Sequence, residues 1–384
     1  MKAAQFSSKK KTGELVAVSG LPGITHAFLP EPLPPDWKWP VRLWPLLLEA
    51  RTALASLDGT GRHLLNPELV LVPLQNREAQ RSSSLEGTYT DPREQALFQL
   101  EPKYPESGDD PINANREVFN YVRALRLRGN TKNTLPISLR LIRELHRILM
   151  EGVRGSDRNP GEFRRSQNQI GRPARFVPSP ATHLASLLDA FEKYLHAGAT
   201  RFDPLVNAFL VHYQFEAIHP FLDGNGRVGR LLLSVLIAEW CRLSNEWLYM
   251  SAYFDHHKDE YIGRLFRIST HGEWEKWVEF CLRGVVVQAN DTLGRCENLL
   301  ALHQQYHDKL RRIGGSVRLS GIVDDLFKTP VASVVSVARS CKVSYPTAAS
   351  DLKKLARAGI VEKINDISRI AYYCPAIFKV TYAD

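Results

Sequence analysis

The chain has 384 residues, 44% of them hydrophobic and 24% charged, enough for two or three modules with ample core. Fifty Lys and Arg against 41 Asp and Glu give a formal charge of +9, which suits nucleotides, acidic protein targets or nucleic acid as partners. No apolar run approaches a membrane span, no apolar segment follows Lys9-Lys10-Lys11 as a secretory signal would need, and the five scattered cysteines form no C-x-x-C pair. The expectation is a cytoplasmic protein with reduced thiols and no membrane contact.

In chain order, the prolines and glycines up to Pro35 read as an irregular arm. Residues 37–57 read as a first helix, ended by Asp58-Gly59-Thr60-Gly61. Residues 74–81 are good helix formers, with Gly87 a fitting C-cap. Within that helix Ser82 and Glu86, four residues apart, share a face. Residues 162–171 and 175–178 read as two short extended runs around the turn Gly171-Arg172-Pro173, a hairpin. Asp203-Pro204 supplies an N-cap and a first-turn proline. Leu205, Val206, Phe209, Leu210, Tyr213 and Ala217 then recur at helical spacing.

The run His219-Pro220-Phe221-Leu222-Asp223-Gly224-Asn225-Gly226-Arg227-Val228-Gly229-Arg230 carries the densest chemistry. Residues 231–238 after it are apolar on nearly every face, which marks a buried helix. Its first turn therefore points unpaired N–H groups and the positive dipole end out of a rigid core. Gly224 and Gly226 let the backbone approach an anion, and phosphate is the natural occupant of such a place. Arg227 and Arg230 lie about one turn apart and can fork onto successive phosphoryl groups. Asp223 is a hard oxygen donor suited to magnesium, and His219 can accept a proton near neutrality. Residues 224–229 also fit G-x-G-x-x-G, but that dinucleotide fingerprint needs a preceding strand and the segment before it reads as helix.

These twelve residues match the signature His-Pro-Phe-x-Asp/Glu-Gly-Asn-Gly-Arg-x-x-Arg, and the chain resembles the Fic family from near Asn115 to about residue 310. The resemblance implies a mainly α-helical bundle that transfers AMP from ATP to a hydroxyl of a target protein. It makes His219 the general base, Phe221 the anchor of the loop and Asp223 the magnesium ligand. Gly224, Asn225 and Gly226 would form the anion hole, and Arg227 and Arg230, with Val228 and Gly229 between them, the β- and γ-phosphate clamp. Ser82-Ser83-Ser84-Leu85-Glu86-Gly87 resembles the family's inhibitory motif, in which the glutamate pairs with the second arginine, here Arg230. The hairpin is similar to the family's flap, which would bind the target's backbone as an added strand over residues 168–178 and place Ile170 and Gly171 by the nucleotide. Where relatives often carry a Tyr-Tyr pair near the base, this chain has Tyr261-Ile262, leaving Ile262 to cover one face of the purine. The same site would serve AMP removal if Glu86 positioned a water.

His256-His257 and the i,i+4 pair His303 and His307 lack a third ligand at sensible spacing and read as solvated helix histidines. From Val317, a short helix at 322–327, a second at 331–341, a third after Ser344-Tyr345-Pro346, and two extended runs at 360–364 and 369–373 across Asn365-Asp366 resemble a winged helix-turn-helix. That unit would bind DNA through Lys353, Lys354 and Arg357, or serve as a protein-interaction or homodimer module. Ten Lys and Arg against six Asp and Glu leave it at +4, modest for a nucleic-acid reader. The organisation expected is residues 1–112 with the inhibitory helix, 113–315 as Fic domain and 316–384 as winged helix. A nucleotide sensor controlling a DNA-binding tail is the alternative to the enzyme.

Overall fold

In a computed structural model, residues 6, 12–19, 22–127, 135–154, 159–171, 173–197, 201–364 and 370–383 are described. The expected irregular arm is instead an antiparallel hairpin of β1 (Gly13–Ala17) and β2 (His26–Pro30), with Gly13 opposite Pro30 and Ala17 opposite His26. Ala27 and Phe28 are buried, the Thr12 hydroxyl donates to Ile268 O, and the Gln214 amide donates to Glu31 O. Distant partners therefore fix a segment whose own composition suggests a loop. Lys9, Lys10 and Lys11 lie outside the described residues.

The first helix, α1 (Trp44–Arg62), starts later than residue 37, because Pro40 is extended (φ −75°, ψ 129°). It also runs through Asp58-Gly59-Thr60-Gly61. Asp58 accepts the N–H and hydroxyl of Ser244 and the Nε of Arg62. Gly61 lies against the Trp247 indole where a Cβ would overlap it. Tertiary packing overrides local turn chemistry there.

Next come α2 (Glu68–Leu85), α3 (Pro92–Leu100, capped by Asp91), α4 (Ile112–Leu125), α5 (Leu139–Leu149) and α6 (Leu184–Ala197). They are followed by α7 (Pro204–Ile218), α8 (Asn225–Trp240), α9 (Ser251–His256), α10 (Lys258–His271) and α11 (Trp274–Arg312). α2 starts well before residue 74, with Pro73 inside it. The fold is mainly α, and α7 and α8 form its centre. Every α7 residue except Pro204 and Glu216 is buried, and so is every α8 residue from Asn225 to Ala238 except Gly226. Those two interior gaps, at Glu216 and Gly226, face the same cavity. Helix α2 is held by its buried Glu78, which accepts hydrogen bonds from the Tyr121 hydroxyl on α4 and from Ser251 at the start of α9. Burial, only partly offset by those bonds, pushes Glu78 up to about 7.

The C-terminal residues form α12 (Val317–Lys328), β3 (Val331–Ser333), α13 (Val334–Ser340), α14 (Tyr345–Arg357), β4 (Glu362–Ile364), β5 (Ala371–Tyr373) and α15 (Pro375–Tyr382). The antiparallel sheet has the order β3-β5-β4. The second helix expected at 331–341 begins as a strand, since Val331 pairs with Tyr373 and Ser333 with Ala371. The turn at Asn365-Asp366 lies outside the described residues. This unit packs on the helical core: Val331 and Ala371 meet Ala96, Leu97 and Leu100, Lys328 pairs with Glu68 at 2.8 Å, and Arg295 of α11 donates to Val380 O and Ala383 O. Among the described residues no helix is long and apolar enough to cross a membrane.

Candidate active site

Helix α7 stops at His219, which turns left-handed (φ 52°, ψ 63°), an uncommon conformation for a residue with a Cβ. Buried Arg164 holds it there. Its Nε donates to His219 O (2.8 Å) and its Nη2 to Ile218 O (3.2 Å) and Ser179 O, so the last carbonyls of α7 are satisfied. Burial pushes the Arg164 guanidinium down to about 10.

The loop to α8 is fixed in the same way. Phe221 is fully buried and stacked 3.8 Å from the His146 ring. The Asn225 side chain accepts the Phe221 N–H (2.8 Å) and donates to Phe221 O (2.9 Å). It thus braces the loop, leaving the backbone at the helix start to face an anion. His146 Nδ1 accepts the Gly161 N–H (2.8 Å), so its Nε2 carries the proton and donates to Asp223 O (3.2 Å). Gly224, at φ 73°, then admits the chain into α8.

In front of α8's first turn lies a cavity of about 710 Å³. Glu86, Glu216, His219, Gly226 and Arg230 line its polar end, and Phe176, Ile262, Leu265 and Phe266 its apolar end, with Ile170 and Gly171 on the flap side. Arg230 is buried and points at the end of α2. Its Nε donates to the Ser82 hydroxyl (2.8 Å), and its Nη2 to Ser82 O (2.9 Å) and Glu86 Oε1 (2.8 Å). The Glu86 side chain remains 41% exposed. A Cβ built on Gly226 would overlap Glu86 Oε1, so this carboxylate lies across the N-terminal turn of α8. Burial alone would raise the Glu86 carboxyl, but Arg230, helped by Arg227 and His219, holds it below its usual range. Arg230 in turn stays firmly charged, because Glu86 outweighs the burial that would lower it.

His219 opens onto the same cavity. Burial, reinforced by the Arg164 charge, pushes its imidazole down to about 4, so it is neutral at pH 7. Glu216, whose Oε2 lies 3.9 Å from His219 Nδ1, is pushed up to about 7 by burial. Its carboxyl is therefore close to half protonated at neutrality.

Several expected contacts fall elsewhere. Arg227 does not line the cavity: its Nη1 donates to buried Glu117 (2.9 Å), which also accepts from Thr88 and Arg154. Val228 is fully buried with its N–H on Gly224 O. Gly229 packs against Glu216, and its carbonyl faces His212 Nδ1 at 3.1 Å. Both serve packing, with no face toward the cavity. Ser82 lies behind Arg230. The flap is not a two-stranded ribbon, since its described residues form a single bridge, Ile170 to Phe176. Beyond that turn, Asn168 donates to Phe221 O (2.9 Å) and Val177 O accepts from Phe28 of β2 (2.9 Å), so both ends of the flap are tied to its neighbours.

Asp223 fits a magnesium ligand. It is half-buried beside α8's N-terminus, and its Oδ1 accepts the Gly224 N–H (2.7 Å). Magnesium commonly takes one or two carboxylates and completes its shell with phosphate oxygens and water. Sequence reading missed His146, Arg164, Glu117 and Glu216. Each acts through a partner far along the chain or from within an apolar helix, and only Glu216, an acid inside the otherwise apolar α7 run, carries a local signal.

The Fic/DOC family N-terminal model matches residues 44–128, and the Fic/DOC family model residues 136–237. The "Protein adenylyltransferase Fic" of Drosophila grimshawi is 35% identical over 128 residues, 33% of this chain and 26% of that protein. The protein of the same name from Drosophila erecta is 34% identical over 128 residues, 33% of this chain and 25% of that one. The matched part thus spans about a quarter of these relatives. A solved Fic family protein from Desulfovibrio desulfuricans covers 89% of this chain and 98% of its own, with a TM-score of 0.58 and 20% identity. Fic-1 from C. elegans covers 66% and 74%, with a TM-score of 0.51 and 19% identity. These two likenesses speak for the fold. With both family models matched in order along the helices that build this cavity, residues 44–128 are a Fic/DOC family N-terminal region and residues 136–237 a Fic/DOC family domain.

Proposed function

We propose that the protein is a nucleotidyltransferase that moves AMP from ATP to a Ser, Thr or Tyr hydroxyl of a target protein, and that Glu86 restrains it. The observation that carries this reading is the Glu86 carboxylate lying on Arg230 and across Gly226. An anion already occupies the positive end of α8, where a phosphate would bind. The names of the curated relatives support the same reading.

With Glu86 withdrawn, the phosphates would lie along Gly224, Asn225 and Gly226 toward Arg230, and the base would rest among Ile262, Leu265 and Phe266. The neutral His219 imidazole takes the target hydroxyl proton as that oxygen bonds to the α-phosphorus. The α-phosphorus bond to the bridging oxygen breaks, and pyrophosphate leaves. Asp223 would hold magnesium, which when bound neutralises phosphate charge. The target's backbone would add as a strand along the 168–178 flap, on its first run, because Val177 O of the return run already takes a hydrogen bond from β2.

The test is transfer of α-labelled ATP into protein by wild type, Glu86→Gly and Glu86→Gly/His219→Ala, with and without cell lysate. Label in the Glu86→Gly lane that vanishes in the double variant is the expected result. No label in any lane, with ATP still bound, would overturn the reading in favour of AMP removal or nucleotide sensing. A second partner class rests on α14, where Lys353, Lys354 and Arg357 are exposed together. A DNA mobility shift that survives His219→Ala would identify that face as a reader.

A further inference from the structure

His303 and His307 stand one turn apart on α11, and sequence alone offers them no third ligand. The fold supplies one. Asp324 of α12 brings its Oδ1 to 2.7 Å from His303 Nε2 and 2.9 Å from His307 Nε2, and the two Nε2 atoms are 3.1 Å apart. No other group of three or more His, Cys, Asp or Glu ligand atoms among the described residues converges so closely.

Protons leave one edge of this triangle without a hydrogen bond while Asp324 is ionised. If both imidazoles donate from Nε2 to Oδ1, the 3.1 Å edge between the two nitrogens carries no hydrogen bond. If one Nε2 is bare, it accepts from the other histidine, but its own lone pair then faces a carboxylate oxygen. One close edge is unbonded in either arrangement. A single cation at the centre turns all three atoms into acceptors of the same partner and removes the conflict.

From these positions we infer that His303, His307 and Asp324 form a site for a divalent transition metal of the zinc type. At a tetrahedral centre with ligand bonds of about 2.0–2.1 Å, donor atoms stand about 3.3 Å apart. The three edges need to open by about 0.2 to 0.6 Å to reach that spacing. Two imidazoles and one carboxylate select zinc, cobalt or nickel over magnesium or calcium, which favour shells built from oxygen. The side chains are 24%, 24% and 39% exposed, which leaves room for water at the fourth position and a path for the ion.

The site's role follows from where its ligands lie. Two come from the last helix of the Fic core and one from the first helix of the C-terminal unit, so the ion is a clip between them. The same α12 packs on α2, where Lys328 reaches Glu68. Helix α2 carries Glu86 at its other end, so the clip braces the unit against which the restraining helix rests.

Cobalt titration of the chelator-treated full-length protein without nucleotide tests this directly. Wild type is expected to take up cobalt with the intense visible absorption of a tetrahedral site, and zinc should displace it. Zinc should also slow amide exchange across residues 317–328. Both effects should disappear in His303→Gln/His307→Gln. The same loss in Asp324→Asn, which keeps the side chain's volume, guards against a misfolded double variant. No tetrahedral band in wild type would overturn the inference, and so would a band that persists in both variants. In either case the triangle would be a proton-sharing cluster, or the metal would sit elsewhere.

Discussion

The loop at 219–224 and the flap at 168–178 border one cavity but are held in opposite ways. Around the loop, buried side chains reach for backbone atoms: Arg164 for His219 O and Ile218 O, Asn225 for both polar atoms of Phe221, and His146 for Asp223 O. The flap's described residues form one bridge and a few turn hydrogen bonds, with few buried side chains holding its backbone. A group that must take a proton from a hydroxyl attacking in line with the bond being broken needs fixed geometry. A segment that lends hydrogen bonds to whatever strand arrives gains from leaving its backbone uncommitted. On the proposed reading, the difference separates the part of the site that would do the chemistry from the part that would accept targets.

The sharpest way to break this contrast is at Phe221. Truncating a fully buried ring stacked on His146 leaves a cavity, and Phe221→Ala is expected to cost about 3–5 kcal/mol in chemical denaturation and to abolish transfer. A cost below about 1 kcal/mol would show that the loop does not depend on this anchor. Ser82→Ala comes next. It strips Arg230 Nε of its acceptor inside the protein, and a hydrogen bond to a buried charged group is worth about 1.5–3 kcal/mol. Because Ser82 also steers Arg230 toward Glu86, the variant should show raised transfer along with lowered stability. If stability fell and the restraint stayed intact, Glu86 would hold Arg230 without that help. Just before the flap, the exposed Ser166→Ala should shift stability by less than about 0.5 kcal/mol and leave transfer alone. Gln169→Pro removes one backbone N–H from the run that would receive the target strand. It is expected to raise the KM for the target with kcat and fold preserved. An unchanged KM would move the docking edge elsewhere.

What could be read from the sequence follows the same division. The run 219–230, the buried helix after it and the shared face of Ser82 and Glu86 are local patterns, and the fold brings His219, Gly226, Arg230 and Glu86 from them to one cavity. Contacts between distant segments left no such mark. Glu117 meets Arg227 across 110 positions, so an arginine expected on phosphate turns out to be spent on a buried carboxylate. Asp58-Gly59-Thr60-Gly61 has the chemistry of a helix end, yet Ser244 and Trp247 keep it helical. The β1–β2 hairpin and the third ligand at Asp324 likewise depend on partners that arrive only when the helices pack. Local rules fail here wherever a tertiary contact satisfies the same atoms better.

The smallest expected effect is an absence of change with pH, and it bears most directly on the rigid side of the comparison. His219 is pushed down to about 4 by burial and then by the Arg164 charge, while Glu86 pulls it up. Replacing Glu86 with Gly removes the upward pull, so the imidazole of the freed enzyme should be harder still to protonate. The ring C–H signals of His219 in the Glu86→Gly protein should therefore not titrate between pH 8 and 5.5, and transfer at saturating substrate should stay level down to about pH 6, where an ordinary histidine near 6.5 would already be mostly charged. Stability behaves differently. Because the folded pKa lies below the unfolded one, His219 contributes stability that is whole above about 6.5 and is lost progressively as pH falls toward 4. His146, pushed down to about 4, and His212, to about 3, share that sign. Glu78 and Glu216, raised to about 7, have the opposite one: their contribution is whole below about 4.5 and fades as pH climbs toward 7. Stability should thus vary only gently between pH 5 and 7 as the two sets offset each other. A midpoint near 6.5 in the His219 signal would mean that the imidazole is solvated, and that the loop is looser than its hydrogen bonds imply.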